Sequence, residues 1–146
     1  MGTYETLNDV LVNLFRDISG IEQKAVRELG YPDITMNDLH VIEAIGTGEP
    51  KNMTTVAKLL SVTTGTLTIS MNALVKKGYV QRVRSEEDRR VVLVSLTEKG
   101  KRAFDHHKRF HDEMIRQVLK GLDGQEQEIL RKALLNLMDF FEKRKG

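Results

Sequence analysis

Three acids and two arginines crowd one short stretch of this chain: Glu86, Glu87, Asp88, Arg89 and Arg90, within RVRSEEDRRVVLVSLTEKG. A merely solvated turn needs no such arginines. On an exposed tip, Arg89 and Arg90 suit the narrow, negative minor groove of duplex DNA. The neighbouring acids would repel phosphate unless they orient those arginines, so Asp88 is expected to pair with one of them. The stretch upstream is also basic. From Pro50 to Ser85 there is no Asp or Glu, while Lys51, Lys58, Lys76, Lys77, Arg82 and Arg84 all fall there. A formal net charge of +2 for the whole chain conceals this segregation, which is the footprint expected of a nucleic-acid binder. Scattered solvated lysines would give the same count, so charge alone leaves that reading open.

Inside the acid-free stretch, TTGTLTISMNALVKKG places Thr64, Thr68 and Asn72 four residues apart. On a helix they share one face. Thr hydroxyls reach phosphates or bases, Thr methyls meet the thymine methyl, and Asn pairs with adenine through both amide atoms. The face carries no arginine, so an A·T-leaning site is expected. Thr63, Thr66, Lys76, Arg82 and Arg84 complete the expected DNA-contact set with Thr64, Thr68, Asn72, Arg89 and Arg90.

The histidines offer different chemistry. His107 and His111 are four apart and interrupt a stripe of Phe104, Met114 and Val118. Such a pair on a helix is a common metal geometry. Hydrogen-bonded side chains at a helix junction are the plainer expectation for the same pair. His106 is expected to be exposed.

Catalysis finds little support. The absence of cysteine excludes disulfides, thiol nucleophiles and Cys-type zinc sites. There is no glycine-rich phosphate loop and no Gly-x-Ser-x-Gly. The HDE at 111–113 lacks the second histidine of a helical zinc hydrolase. An enzyme with a His-rich site is a remote alternative. No basic-then-apolar leader and no apolar run of ~18 residues occurs, which predicts a cytoplasmic protein.

The elements that must hold these residues follow from periodicity. Leu7, Val10, Leu11, Leu14, Ile18, Ile21 and Ala25 predict a helix over 5–29, ended by Gly30 and Pro32. Thr35 is a candidate N-cap for a helix over 37–45. Two short helices follow, TTVAKLLS and the Thr-rich segment, separated by a turn at Ser61 and Val62. Thr63 caps the second, whose buried side is Leu67, Ser70, Met71 and Leu74. Gly78 occupies its C′ position. Strands over 79–84 and 91–96 flank the charged tip. Thr97 caps a helix reaching about 119, and Asp123 with Glu126 forms a capping box for a last helix. Helix, turn, helix and hairpin in that order make a helix-turn-helix with a wing. Its second helix enters the major groove.

Here the chain resembles a known family. DRRVVLVSLTEKG is similar to the MarR-family pattern, with Asp88, Arg90, Leu96, Thr97 and Gly100 at the matching places. VAKLLSVTTGTLTISMNALVKKGYVQR resembles that family's helix-turn-helix. The resemblance implies a mainly α fold with a small β-hairpin wing, dimeric through long terminal helices. It implies a single MarR-type domain over 1–146, with dimerisation helices at 5–30 and 97–144 and the winged helix-turn-helix at 35–96. VTTGTLTISMNALVKKGYVQRVRSEEDRRVV and HKRFH look like the branch that represses bacterial fatty-acid synthesis genes. That branch implies double-stranded operator DNA as partner and acyl carrier protein bearing an acyl chain as corepressor. Glu22, His40, His107 and His111 resemble the ligand set of a zinc-responsive branch, which implies zinc as the alternative effector. Leu39 stands where that branch carries a glutamate, and its second, cysteine-containing site has no counterpart.

Overall fold

The computed structural model describes residues 1–145, which fall into two compact units, Met1–Phe110 and His111–Gly146. The first opens with α1 (Thr3–Asn8), a π-helical segment (Asp9–Leu14) and α2 (Phe15–Glu28). The expected single helix is thus present but interrupted by a wider turn. Next come α3 (Met36–Ile45), β1 (Lys51–Asn52), α4 (Met53–Leu60), α5 (Thr64–Lys77), β2 (Val80–Arg84) and β3 (Val92–Leu96). The long helix α6 (Glu98–Leu119) begins in this unit and ends in the other, which also holds α7 (Gly124–Glu142).

The starts of α3, α4, α5 and α7 are each set by a short polar side chain. Thr35 accepts from the Asp38 amide and Asp38 accepts from the Thr35 amide, both at 3.0 Å. Asn52, Thr63 and Asp123 cap α4, α5 and α7 in the same way. Such caps satisfy amides the helix leaves orphaned, about 1 kcal/mol each. The turn between α4 and α5 is closed by Ser61 in the left-handed region, at φ 55°. The Val62 amide reaches back to the Ala57 carbonyl at 3.0 Å.

The three-stranded antiparallel sheet has the order β1-β3-β2. Val80 pairs with Leu96 and Arg84 with Val92, so the hairpin register is continuous. The third strand, β1, was not expected. Two residues pairing Lys51 with Val94 and Asn52 with Leu93 are too few to leave a period in the sequence. The core of this unit gathers Ile34, Leu39, Ile42, Val56, Leu67, Met71, Leu74, Tyr79, Val94 and Leu96, all at most 2% exposed. Leu67, Met71 and Leu74 are the expected inward face of α5. Ser70 is half-buried, its hydroxyl accepting from Asn37 Nδ2 at 3.0 Å.

The Leu96-Thr97…Gly100 motif joins the wing to the end of α5. Thr97 Oγ1 donates to the Gly78 carbonyl at 2.6 Å and accepts from the Gly100 amide at 3.1 Å. A Cβ at Gly100 would lie 2.0 Å from the Tyr79 carbonyl oxygen. Only glycine permits that approach. In the second unit, α7 buries none of its residues, and Leu134, Leu135, Met138, Phe140 and Phe141 are each 45–60% exposed. No described helix is long and apolar enough to cross a membrane.

Candidate nucleic-acid interface

The outer face of α5 is open. Thr64, Gly65, Thr68, Ile69 and Asn72 are exposed, with Ile69 at 75%. The structure distributes the threonine hydroxyls unequally. Thr63 accepts from the Thr66 amide at 3.1 Å and donates to the Thr66 hydroxyl at 3.0 Å, so it serves the cap. Thr68 donates to the Thr64 carbonyl at 2.8 Å, which leaves its methyl and lone pairs outward. Thr64 keeps its hydroxyl unengaged among the described residues. Ile69 was expected to face outward, but reasoning from polar groups gave it no contact with DNA. An exposed branched apolar side chain on such a face suits the thymine methyl.

α5 is held from behind by charge. Lys77 Nζ meets Asp38 Oδ2 at 2.7 Å, and Asp38 is 3% exposed. Asp38 also caps α3, so one carboxylate ties two helices. Lys77 is therefore spent inside the fold. Lys51 likewise donates to the Ile45 carbonyl. Of the basic stretch, Lys58, Lys76, Arg82 and Arg84 remain exposed.

Next to the C-terminus of α5, the Tyr79 hydroxyl donates to Asp33 Oδ1 at 2.7 Å. Burial, then this bond, pushes the Tyr79 phenol well above its usual range. The bond lowers the Asp33 carboxyl. Lys99 Nζ lies 4.4 Å over the Tyr79 ring and donates to the Lys77 carbonyl, neutralising the negative end of α5.

At the wing tip, Arg90 donates to Asp88 through Nε at 3.1 Å and Nη2 at 3.2 Å, while its amide donates to the same carboxylate at 3.1 Å. This fork lowers the Asp88 carboxyl. The expected Asp88 pair is present, and its partner is Arg90. Arg84 Nη1 donates to the Arg89 carbonyl at 2.8 Å, bracing the tip from β2. The Arg89 side chain is exposed and has no acidic partner among the described residues. The tip thus presents one braced and one unengaged guanidinium.

The metal-type residues are placed differently. Glu22 and His107 are brought together, both buried, with Oε2 and Nε2 at 3.3 Å. The other ring nitrogen of His107 faces Glu43 Oε1 at 3.9 Å. Glu43 carries no motif that would have drawn attention to it. His40 is exposed on α3 and joins no metal-capable cluster among the described residues. His111 follows one turn after His107 on α6, in the second unit. Two ligands on a tetrahedral zinc ion lie about 3.3 Å apart, so Glu22 and His107 fit as a pair. The Glu43 carboxylate lies on the side where a ligating histidine usually has a hydrogen-bonded support, but 3.9 Å is longer than a hydrogen bond. His106 is half-buried rather than exposed, its ring edge-on to Tyr31 at 5.6 Å between centroids.

A capped helix with an open polar face, buttressed by α4 and flanked by an arginine-tipped hairpin, defines a winged-helix DNA-binding transcriptional regulator. The family described as Transcriptional regulator SarA/Rot matches residues 30–107. The chain belongs to that family, and its fold is of the MarR type. FabT of Streptococcus pneumoniae, solved in complex with DNA, is 39% identical, with a TM-score of 0.84 over 96% of this chain and 98% of FabT. YpoP of Bacillus subtilis (strain 168), an HTH-type transcriptional regulator, is 26% identical over 117 residues, 80% of this chain and 78% of YpoP. SarZ of Staphylococcus haemolyticus (strain JCSC1435) is 41% identical over 68 residues, 47% of this chain and 46% of SarZ. The chain therefore matches a little under half the length of SarZ.

Proposed function

We propose that this chain is a cytoplasmic, homodimeric repressor that binds a pseudo-palindromic operator. The observation that carries this reading is the open face of α5 beside the braced wing. Thr64, Thr68 and Asn72 face base edges in the major groove. Thr63, Thr66, Lys76 and Arg84 lie toward phosphates, Arg82 stands beside Asn72 at the base-reading face, and Arg89 and Arg90 enter the adjacent minor groove. Residues 35–96 form the reading head, and the helices within 5–30 and 97–144 form the dimer. Half-sites then repeat at about one helical turn, ~10 bp. The similarity to FabT, whose structure contains DNA, supports the same mode of binding here.

Fatty-acid synthesis genes are the proposed targets, with acylated acyl carrier protein as corepressor. The near full-length similarity to FabT supports this assignment. An opening of about 350 Å³ lined by His40, Glu43, Ala44, Leu59 and Leu60 offers an apolar surface to an acyl chain. Its occupant would act by favouring one spacing of the two reading heads. Selection of bound duplexes from a random pool, repeated with carrier protein bearing long, short or no acyl chains, tests the proposal. Enrichment of a two-fold symmetric site, tightened by the long-chain form alone, is the expected result. No enriched site removes the repressor reading. An enriched site indifferent to the carrier protein removes only the corepressor.

The buried Glu22–His107 pair favours a second reading, zinc as the effector. Calorimetry on chelator-stripped protein beside His107→Ala and His111→Ala variants decides it. One ion bound per subunit, and lost in the variants, is required.

A further inference from the structure

We infer that Arg82 is a positioning residue that locks the Asn72 amide, so that Asn72 reads a hydrogen-bond acceptor on the base edge rather than adenine through both amide atoms. The inference rests on α5 being the DNA-reading helix.

Asn72 lies on the exposed face of α5 and Arg82 on β2, ten residues later, and Arg82 Nη2 donates to Asn72 Oδ1. A guanidinium has donors only. The amide atom turned toward it must therefore be the oxygen, because the nitrogen would set donor against donor. The amide is planar, so Nδ2 points away from Arg82, and it has no partner among the described residues. Among the described residues no other side chain is bonded to Arg82. The surrounding stretch holds no acid, and no ion pair involves Arg82 among the described residues. Its backbone is held in register: Arg82 pairs across the sheet with Val94, which is fully buried. The wing strand thus sets the direction of a side chain on the neighbouring helix.

The consequence is a change of code. Pairing with adenine needs Oδ1 to accept from the adenine amino group while Nδ2 donates to N7. With Oδ1 turned onto Arg82 and so away from the base edge that Nδ2 faces, Asn72 presents its donors there. Guanine O6 or N7 and thymine O4 then satisfy it, adenine N7 does so by one bond only, and cytosine, which presents a donor there, does not. The A·T-leaning expectation drawn from residue types changes at this position.

The test has two arms on the full-length protein. In the first, relative affinities for every base at each operator position are measured for wild type, Asn72→Ala, Arg82→Ala and the double variant. Arg82 is exposed, so its loss leaves the core intact. Wild type is expected to favour guanine or thymine over cytosine at one position by about tenfold, within the range of a directed base contact. Arg82→Ala should move that preference toward adenine, and the shift should vanish in the Asn72→Ala background. An equal loss on every sequence, additive with Asn72→Ala, would make Arg82 a phosphate contact and overturn the lock. Wild-type preference for adenine would overturn it too. The second arm needs no DNA. The Asn72 side-chain amide resonances of the free protein should move in Arg82→Ala, and unmoved resonances overturn the lock while leaving DNA reading intact. Resonances that move in a protein without sequence preference overturn the DNA-reading role, and the inference falls with it.

Discussion

The helices of the reading head and the last helix treat their apolar residues in opposite ways. α5 puts Leu67, Met71 and Leu74 at 0–1% exposure and turns polar side chains outward. α7 is longer and as regular, yet buries nothing and leaves Leu134, Leu135 and Met138 open around a groove of about 240 Å³. The head has finished its hydrophobic work within one chain, and what it leaves outside is suited to a ligand. α7 leaves its apolar side uncovered within the chain. A helix so apolar on one side gains stability chiefly by burying that side, and a second copy of the chain is the proposed cover.

The largest expected effect follows from breaking that difference. Met138→Glu with Leu134→Glu makes α7 polar on its open side without touching the head. We expect monomers by sedimentation and an operator affinity lowered by a factor on the order of 10²–10⁴, the usual advantage of two linked sites over one. A dimer that survives both substitutions would place the interface elsewhere.

The reverse break spares α7 and strains the head. At Gly100 a methyl would meet the Tyr79 carbonyl, so Gly100→Ala forces α6 away from the start of β2. Overpacking of this kind costs about 1–3 kcal/mol. The denaturation midpoint should fall, with self-association retained in whatever remains folded. An unchanged midpoint would show that α6 shifts freely at its start.

How much of this contrast was legible beforehand depends on what reports each part. The α5 face, its Thr63 cap and Gly78 stop, the hairpin and the Asp88 pair were all readable, because periodicity and local turn chemistry act within a few residues. The Lys77–Asp38 tie, the Asn72–Arg82 contact and the Glu43 carboxylate beside His107 were not. Lys77 and Asp38 are 39 residues apart, and no spacing rule connects them. Lys77 therefore counted as part of the basic surface, although the fold consumes it. The π-helical segment at Asp9–Leu14 was hidden for another reason: its apolar spacing is compatible with an ordinary helix.

A smaller effect tests the polar side of the head. Tyr79→Phe deletes the bond to Asp33 and should cost about 0.5–1.5 kcal/mol. The pH dependence has a definite sign. The folded Tyr79 phenol titrates above its unfolded value near ~10, so its contribution is full below that pH and is lost as pH rises beyond it. The folded Asp33 carboxyl titrates below its unfolded value, so its contribution is present above that value and lost as pH falls through the folded one. The variant should flatten both limbs of the stability profile. Retention of the alkaline limb would assign it to another group.

The smallest effect sharpens a contrast between two helix ends in the same head. α4 and α5 both stop in the left-handed region, at Ser61 with φ 55° and at Gly78 with φ 87°. An L-residue there costs roughly 1–2 kcal/mol, while glycine gives back about 0.5–1 kcal/mol through its more disordered unfolded state. Ser61→Gly should therefore stabilise by about 0.5–1 kcal/mol, the difference between those two terms. Gly78→Ala should destabilise by a similar amount. At Gly78 an added Cβ meets nothing nearer than Lys99 Cδ at 4.0 Å, so backbone conformation alone is being measured. Opposite signs of similar size would show that the two ends obey one rule. A destabilising Ser61→Gly would mean that the Ser61 side chain contributes more than its backbone strain removes, and operator affinity of that variant would show whether the contribution goes to DNA.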